Sequence, residues 1–174
     1  MNKILFLYST VDGHTLKICR RLQQLLERAG HQVTLSDLRP DADLAPFDTI
    51  VVGASIRYGK HRPEVARFMR AQRAILERKP SAFFSVNIVA RKPNKRTPET
   101  NPYVMKFLRQ IGWRPRLVGV FAGMLDYPSY GFLDRQIIRF IMLLTKEPTA
   151  PDSVVEFTDW NEVEDFGRRI GGMR

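Results

Sequence analysis

Tyr8-Ser9-Thr10-Val11-Asp12-Gly13-His14-Thr15 follows a short apolar run, Ile4-Leu5-Phe6-Leu7, and precedes a helical pattern from about Leu16 onward. The order is strand, loop, helix. The loop is rich in hydroxyls, with one carboxylate and one glycine. A phosphate needs donors that converge on it. Backbone N–H groups at a helix N-terminus supply some, and Ser and Thr hydroxyls supply more. The glycine lets the backbone come close or take positive φ. We read this loop as a phosphate cradle. The plainer reading is an ordinary strand-to-helix turn capped by Asp12 or Thr15.

The loop lacks the Gly-Lys-Ser/Thr ending of a nucleoside triphosphate P-loop. It also lacks the three-glycine dinucleotide fingerprint. With no lysine in it, the bound group should carry one phosphate held mainly by hydrogen bonds. The pattern Thr10-x-Asp12-Gly13-x-Thr15 resembles the phosphate loop of flavodoxins, which hold flavin mononucleotide (FMN).

Outward from the loop the chain alternates between strand and helix. Residues 4–8 form a first strand, apolar on both faces as a central parallel strand is. In residues 15–28, Leu16, Cys19, Leu22, Leu25 and Leu26 fall at helical spacing, and Ala29-Gly30 stops the helix. Residues 31–35 alternate as a second strand, and residues 49–53 read as a third, buried one. Ala54-Ser55-Ile56-Arg57-Tyr58-Gly59 follows. A buried strand running into Arg, Tyr and Gly suggests the carboxyl end of a sheet, where ligands sit. Tyr58 is suited to stack on a flat ring, although a solvent-facing strand-to-helix turn explains the same residues. Pro63 opens a helix that Val65, Phe68, Met69, Ile75 and Leu76 continue.

Residues 81–89 are a fourth strand. Residues 90–102 form a loop with four basic side chains, Arg91, Lys92, Lys95 and Arg96, three prolines and one acid. Its charges are exposed, either as a solvated surface or as a basic rim beside a ligand crevice. Residues 103–111 are a helix and residues 117–123 a fifth strand. This alternation indicates an α/β fold with a doubly wound five-stranded parallel sheet. Right-handed crossovers make the strand order 2-1-3-4-5 the first choice.

A sheet of this kind needs only a short loop and one closing helix after its fifth strand. Here about thirty residues, 124–153, intervene. Within them residues 131–146 are very apolar, with mainly basic charges. The piece is about half the ~20 apolar residues that span a bilayer. A helix lying in a membrane surface fits it, and so does a helix packed on the domain or a lid. Residues 154–158 read as a final short strand, the outer half of the fifth. Asp159 or Thr158 caps a last helix with Val163, Phe166 and Ile170 inward. No repeat, low-complexity tract or linker divides residues 1–174, so one domain is expected.

Composition sets the bounds. The chain has 174 residues with 44% hydrophobic content, enough for a real core. The single cysteine, Cys19, makes no intrachain disulfide. The start of the chain is too short and too soon folded for a secretory signal, so a cytoplasmic location is expected. The net charge of +10 suits an anionic partner: nucleic acid, anionic lipid or an acidic small molecule. Electron-carrying flavodoxins are acidic, and this departure argues for a different job on that scaffold.

Three stretches carry a more specific resemblance: Ser9-Thr10-Val11-Asp12-Gly13-His14-Thr15, Val51-Val52-Gly53-Ala54-Ser55-Ile56-Arg57-Tyr58-Gly59, and Ser85-Val86-Asn87-Ile88-Val89-Ala90-Arg91-Lys92-Pro93. With Lys95-Arg96-Thr97-Pro98, Thr158-Asp159-Trp160 and the long insertion, the chain is similar nearly end to end to the flavodoxin-like, quinone-dependent protoporphyrinogen IX dehydrogenases. The resemblance implies noncovalent FMN and oxidation of protoporphyrinogen IX to protoporphyrin IX in haem synthesis. Menaquinone or ubiquinone would accept the electrons. It implies a phosphate site at Ser9, Thr10, Asp12, Gly13, His14 and Thr15. Ser55, Ile56, Arg57, Tyr58, Gly59, Ser85, Val86 and Asn87 would border the flavin ring. No side chain is assigned as catalytic acid or base, and no metal is expected.

The bottom-up features agree with that implication. The reaction removes six electrons and six protons, so a two-electron flavin acts three times while the protein positions it. Arg57, Arg91, Lys92, Lys95 and Arg96 are suited to attract the two substrate propionates. The apolar helix at 131–146 would meet the bilayer that holds the quinone, at the inner face of the cell membrane. A flavodoxin-type electron carrier and an NAD(P)H-quinone reductase remain alternatives, and assembly of identical copies is open. A nucleic-acid binder is disfavoured, since no basic-aromatic sheet motif or helix-turn-helix signature is present.

Overall fold

The computed structural model describes residues 1–144, 146, 150, 152 and 154–174. The parts of the expected insertion at 145, 147–149, 151 and 153 lie outside them. Five strands run parallel: β1 (Lys3–Ser9), β2 (Gln32–Asp37), β3 (Thr49–Arg57), β5 (Ser81–Val86) and β6 (Leu117–Phe121). Their spatial order is β2-β1-β3-β5-β6. Counting the parallel strands alone, this is the expected 2-1-3-4-5.

The apolar runs explain the layering. All six residues of β5 and the first six of β3 are buried, as strands covered on both faces require. On one face α1 (His14–Arg28) and α6 (Trp160–Gly171) pack Ile18, Leu22, Val163 and Phe166 against Phe6, Val51 and Phe84. On the other, α2 (Pro63–Ala71), α3 (Arg73–Arg78) and α4 (Val104–Ile111) bring Val65, Met69, Leu76 and Leu108 onto Leu7, Val52 and Phe83. Gly53 on β3 lies directly beside Phe84 on β5. A Cβ there would stand 2.3 Å from the Phe84 ring, so only glycine lets that ring cross the sheet face.

Several local expectations give way to the fold. The stretch from Pro63 through Leu76 is two helices, because Gln72 leaves helical geometry between them. The fourth strand stops at Val86, where Asn87 turns its side chain to accept the Ala90 N–H at 3.1 Å and starts a 3-10 turn. After β3 the chain doubles back through Tyr58 and Gly59 into β4 (Lys60–His61), which pairs antiparallel with β3. Both turn residues have positive φ, 51° and 74°, the pairing that a tight two-residue hairpin requires.

Residues 154–158 are not the outer half of the fifth strand. β8 (Val154–Glu156) pairs antiparallel with β7 (Met124–Asp126) as a separate two-stranded ribbon. The chain therefore leaves and re-enters the sheet region at one place, with the Phe157 N–H donating to the Gly123 carbonyl at 3.1 Å. Between them lies α5 (Phe132–Leu144), within the expected 131–146. Its thirteen residues span ~20 Å, and among the described residues no helix is long and apolar enough to cross a membrane. Met142 is buried, while Phe132, Leu133, Phe140, Leu143 and Leu144 are exposed.

Candidate functional site

A cavity opens where β1, β3, β5 and β6 end. Its walls come from the first loop (Thr10, Asp12, His14, Thr15), the β3–β4 hairpin (Ser55, Ile56, Arg57, Tyr58, Gly59) and the end of β5 (Val86, Asn87, Ile88, Val89). Chain departures from neighbouring strands on opposite sides of a sheet leave such a crevice at their carboxyl ends. The insertion closes it: Tyr130, Ile138, Ile141 and Met142 form the remaining wall, with residues of β7 beside them.

The first loop turns tightly into α1. Thr10 Oγ1 accepts the Gly13 N–H at 3.0 Å, and Gly13 takes φ 82° as the residue before α1. No side chain caps the helix, so neither Asp12 nor Thr15 plays the cap expected of an ordinary turn. The first N–H groups of a helix have no intrahelical carbonyl to reach, and they face outward with the positive end of the helix dipole.

Three buried polar atoms of the lining residues have no hydrogen-bond partner among the described residues: His14 Nδ1, Thr15 Oγ1 and Ser55 Oγ. A buried unsatisfied polar atom costs ~1–3 kcal/mol, and three beside one cavity fit a polar group received there. His14 Nε2 lies 2.6 Å from Thr158 Oγ1, and burial lowers the imidazole pKa, with Glu156 acting against it and Lys17 with it.

Arg57 holds the front of the cavity. Its guanidinium pairs with Asp12 at 3.2 Å and with Asp134 of α5. The Tyr58 hydroxyl also donates to Asp134, and that hydrogen bond raises the tyrosine pKa. The Arg57 guanidinium lies 5.7 Å from the Tyr130 ring centroid, a cation–π distance. Beneath the cavity runs a buried polar chain. His61 Nε2 meets Ser85 Oγ at 3.0 Å, Asn87 Nδ2 donates to Ser85 Oγ at 3.3 Å, and Asn101 Nδ2 donates to Asn87 Oδ1 at 3.0 Å. Burial pushes the His61 pKa down to about 4.

Eleven of the fourteen residues expected around the cofactor line the cavity, and Ser9, Gly13 and Ser85 do not. Ser85 turns its hydroxyl to His61, away from the cavity. Arg91, Lys92, Lys95 and Arg96 also stay off the lining. Arg91 donates to the Ile88 carbonyl at 2.9 Å, Lys92 is exposed, and Arg96 approaches Glu162 at 3.6 Å. Asn101 ties the loop down by donating to the Lys95 carbonyl at 2.9 Å.

Tyr130, Ile138 and Met142 line the cavity and Thr158 meets His14, although none is among the residues expected around the cofactor. Ile138 and Met142 sit four apart on one helix face, a signal the sequence carried. Nothing local marked Thr158 as the partner of His14.

Residues 5–152 match the Flavodoxin domain family. Over its length the chain is 41% identical to a protein of Escherichia coli (strain K12) named protoporphyrinogen IX dehydrogenase [quinone], covering 98% of this chain and 96% of that one. A Leishmania major protein of the same name is 42% identical over 98% of this chain and 75% of its own. Among solved structures, two-electron reduced Megasphaera elsdenii flavodoxin superposes with a TM-score of 0.56 at 13% identity, covering 97% of this chain and 98% of that one. That likeness concerns the fold.

Proposed function

The chain belongs to the quinone-linked protoporphyrinogen IX dehydrogenase family of flavodoxin-domain proteins, and from that membership we propose that it oxidises protoporphyrinogen IX to protoporphyrin IX with FMN as cofactor and a quinone as final acceptor. The observation that carries the reading at the level of this chain is the trio of unpartnered buried atoms, His14 Nδ1, Thr15 Oγ1 and Ser55 Oγ, beside one crevice. They suit a ligand with a compact anionic end and a polar ring edge. A bound FMN supplies two-electron redox chemistry, used three times per porphyrin formed.

The chain's residues divide the remaining work. Thr10, His14, Thr15 and the first N–H groups of α1 hold the phosphate. Ser55 to Gly59 and Val86 to Val89 flank the ring, with Ser55 and Asn87 offering hydrogen bonds. Ile138, Ile141 and Met142 exclude water from the same face. Arg57 neutralises Asp12, whose carboxylate would otherwise repel the phosphate. Arg91, Lys92, Lys95 and Arg96 act at a distance, drawing a substrate with two propionates toward the crevice.

The outer face of α5 supports a further part of the reading. Phe132, Leu133, Phe140, Leu143 and Leu144 stand in solvent on the helix whose inner side walls the cavity. Laid in the surface of a bilayer, this face would bring the crevice to a membrane-dissolved quinone and substrate. Peripheral attachment to the inner face of the cell membrane is therefore part of the proposal.

An anaerobic assay tests it. Protoporphyrinogen added to the flavin-loaded protein should bleach the flavin absorbance, and a menaquinone analogue should then restore it with the rise of porphyrin fluorescence. Flavin that stays oxidised with protoporphyrinogen but bleaches with NADH would replace this reading with a nicotinamide-fed quinone reductase. Flavin that neither donor bleaches would leave an electron carrier.

A further inference from the structure

We propose that His14 receives the cofactor phosphate as an imidazolium, so that FMN enters the cradle together with a proton taken up at His14 Nδ1. The proposal rests on the flavin reading and deepens it.

The hydrogen-bond inventory decides which nitrogen is bare. The Ala122 carbonyl only accepts, so the single hydroxyl proton of Thr158 is committed to it at 2.7 Å. The Thr158 oxygen, 2.6 Å from His14 Nε2, is therefore left to accept, and Nε2 carries the hydrogen. In the neutral imidazole Nδ1 is then a lone pair alone. His14 is 7% exposed, and its Nδ1 has no hydrogen-bond partner among the described residues.

A bare lone pair beside a phosphate dianion is repulsive. A protonated Nδ1 donates a charge-assisted hydrogen bond instead. The site has need of that charge. Among the described residues lining the cavity, Arg57 is the only lysine or arginine, and it is engaged by Asp12 and Asp134. Lys17, one turn along α1, is held by Glu156 at 2.5 Å.

Free of ligand, the same site keeps His14 neutral. Burial lowers its pKa, Lys17 on α1 adds to this, and Glu156 on β8 opposes it. Its position as the first residue of α1 also disfavours a cation, because the helix dipole is positive there. Asp12 lies in the same loop, drawn off by Arg57, and Trp160 of α6 faces the imidazole with ring centroids 6.3 Å apart and brings no charge. A dianion arriving at Nδ1 reverses the balance.

The test is a titration of the flavin-freed full chain with FMN and with riboflavin, read by flavin fluorescence between about pH 7 and pH 9, where a phosphate monoester is already dianionic. FMN affinity should fall by up to about tenfold per pH unit within that window, the slope of one linked proton. Riboflavin affinity should stay flat. Calorimetry in two buffers of different ionisation enthalpy should show FMN taking up a proton and riboflavin none. His14→Gln should bind FMN more weakly at pH 7 and lose the slope.

A flat FMN profile without proton uptake in the unaltered protein overturns the proposal, as does a slope that survives His14→Gln. Should that variant fold poorly, the nitrogen shifts of His14 in the unaltered protein, with and without FMN, decide the protonation directly. Tight, pH-independent FMN binding leaves the flavin reading intact and removes only the proton. No binding of either flavin overturns both.

Discussion

Arg57, at the end of β3, is joined by an ion pair to Asp134, in the first turn of α5, across 77 positions of sequence. The same guanidinium reaches Asp12 in the cradle. One side chain thus ties the insertion to the loop proposed to hold the phosphate, and Tyr58 adds a second bond to Asp134.

Asp134→Asn should loosen α5 without unfolding the protein. The Asp134 side chain is 38% exposed, so the pair contributes only ~0.2–1 kcal/mol to global stability. The local effect is larger, since Met142 is the only buried residue among the described residues of α5. Hydrogen exchange in residues 132–144 should quicken several-fold and FMN release should quicken with it. Exchange equal to that of the unaltered protein would show that the helix is held by Met142 and by Arg135, which donates to the Tyr127 carbonyl at 3.0 Å, without help from Asp134.

Thr15→Val should move stability and affinity in opposite directions. The hydroxyl is fully buried and has no hydrogen-bond partner among the described residues, so its isosteric removal should raise the stability of the flavin-free protein by ~1 kcal/mol. Binding of FMN should weaken by about tenfold, the loss of one phosphate hydrogen bond. Thermal melts with and without FMN read both. A lower flavin-free melting temperature would place the hydroxyl in a structural role.

His61 should make the fold sensitive to mild acid. Its folded pKa is about 4 through burial, against 6.5 for an unburied imidazole. A lowered pKa means that the unfolded chain binds the proton first. Stability is therefore full above pH 6.5 and is lost as pH falls toward 4, by ~3 kcal/mol at most. Urea unfolding from pH 7 to pH 4.5 should show a steeper decline for the unaltered protein than for His61→Gln, which keeps a neutral partner for Ser85. Parallel declines would assign the acid sensitivity elsewhere.

The proposed membrane contact predicts that Phe140→Ser with Leu144→Ser weakens binding to lipid vesicles. Both side chains are exposed, at 62% and 69%, and neither lines the cavity. Burying each in lipid is worth ~1.5–3 kcal/mol, so the double variant should lose at least tenfold in co-sedimentation with anionic vesicles. Its FMN affinity should be unchanged. Equal vesicle partition would remove α5 as the contact.

Much of the fold was legible because its signals are local. Buried strands announce themselves as apolar runs such as Thr49 to Gly53, helices as apolar spacing such as Leu22 with Leu26, and right-handed crossovers make the observed strand order the first choice. The misreadings share a cause. The β3–β4 hairpin depends on Tyr58 taking positive φ, which a tyrosine does not advertise. The break at Gln72 has no proline or glycine to mark it. The β7–β8 ribbon joins segments about thirty residues apart, and no pattern within either segment names the other.

The strand–loop–helix geometry of the first loop was legible for the same local reason: a strand end, a glycine and a helix start lie in one continuous stretch. By itself, then, the sequence determined the α/β alternation and the presence of an apolar insertion, and it made the observed strand order the first choice. Tertiary structure alone decided that Ser85 turns away from the crevice, that Arg57 is shared between Asp12 and Asp134, that α5 walls the cavity, and that Thr158 leaves His14 Nδ1 bare. Hydrogen bonds and ion pairs between distant segments leave no periodicity in the chain, and they exist only once the core has brought their ends together.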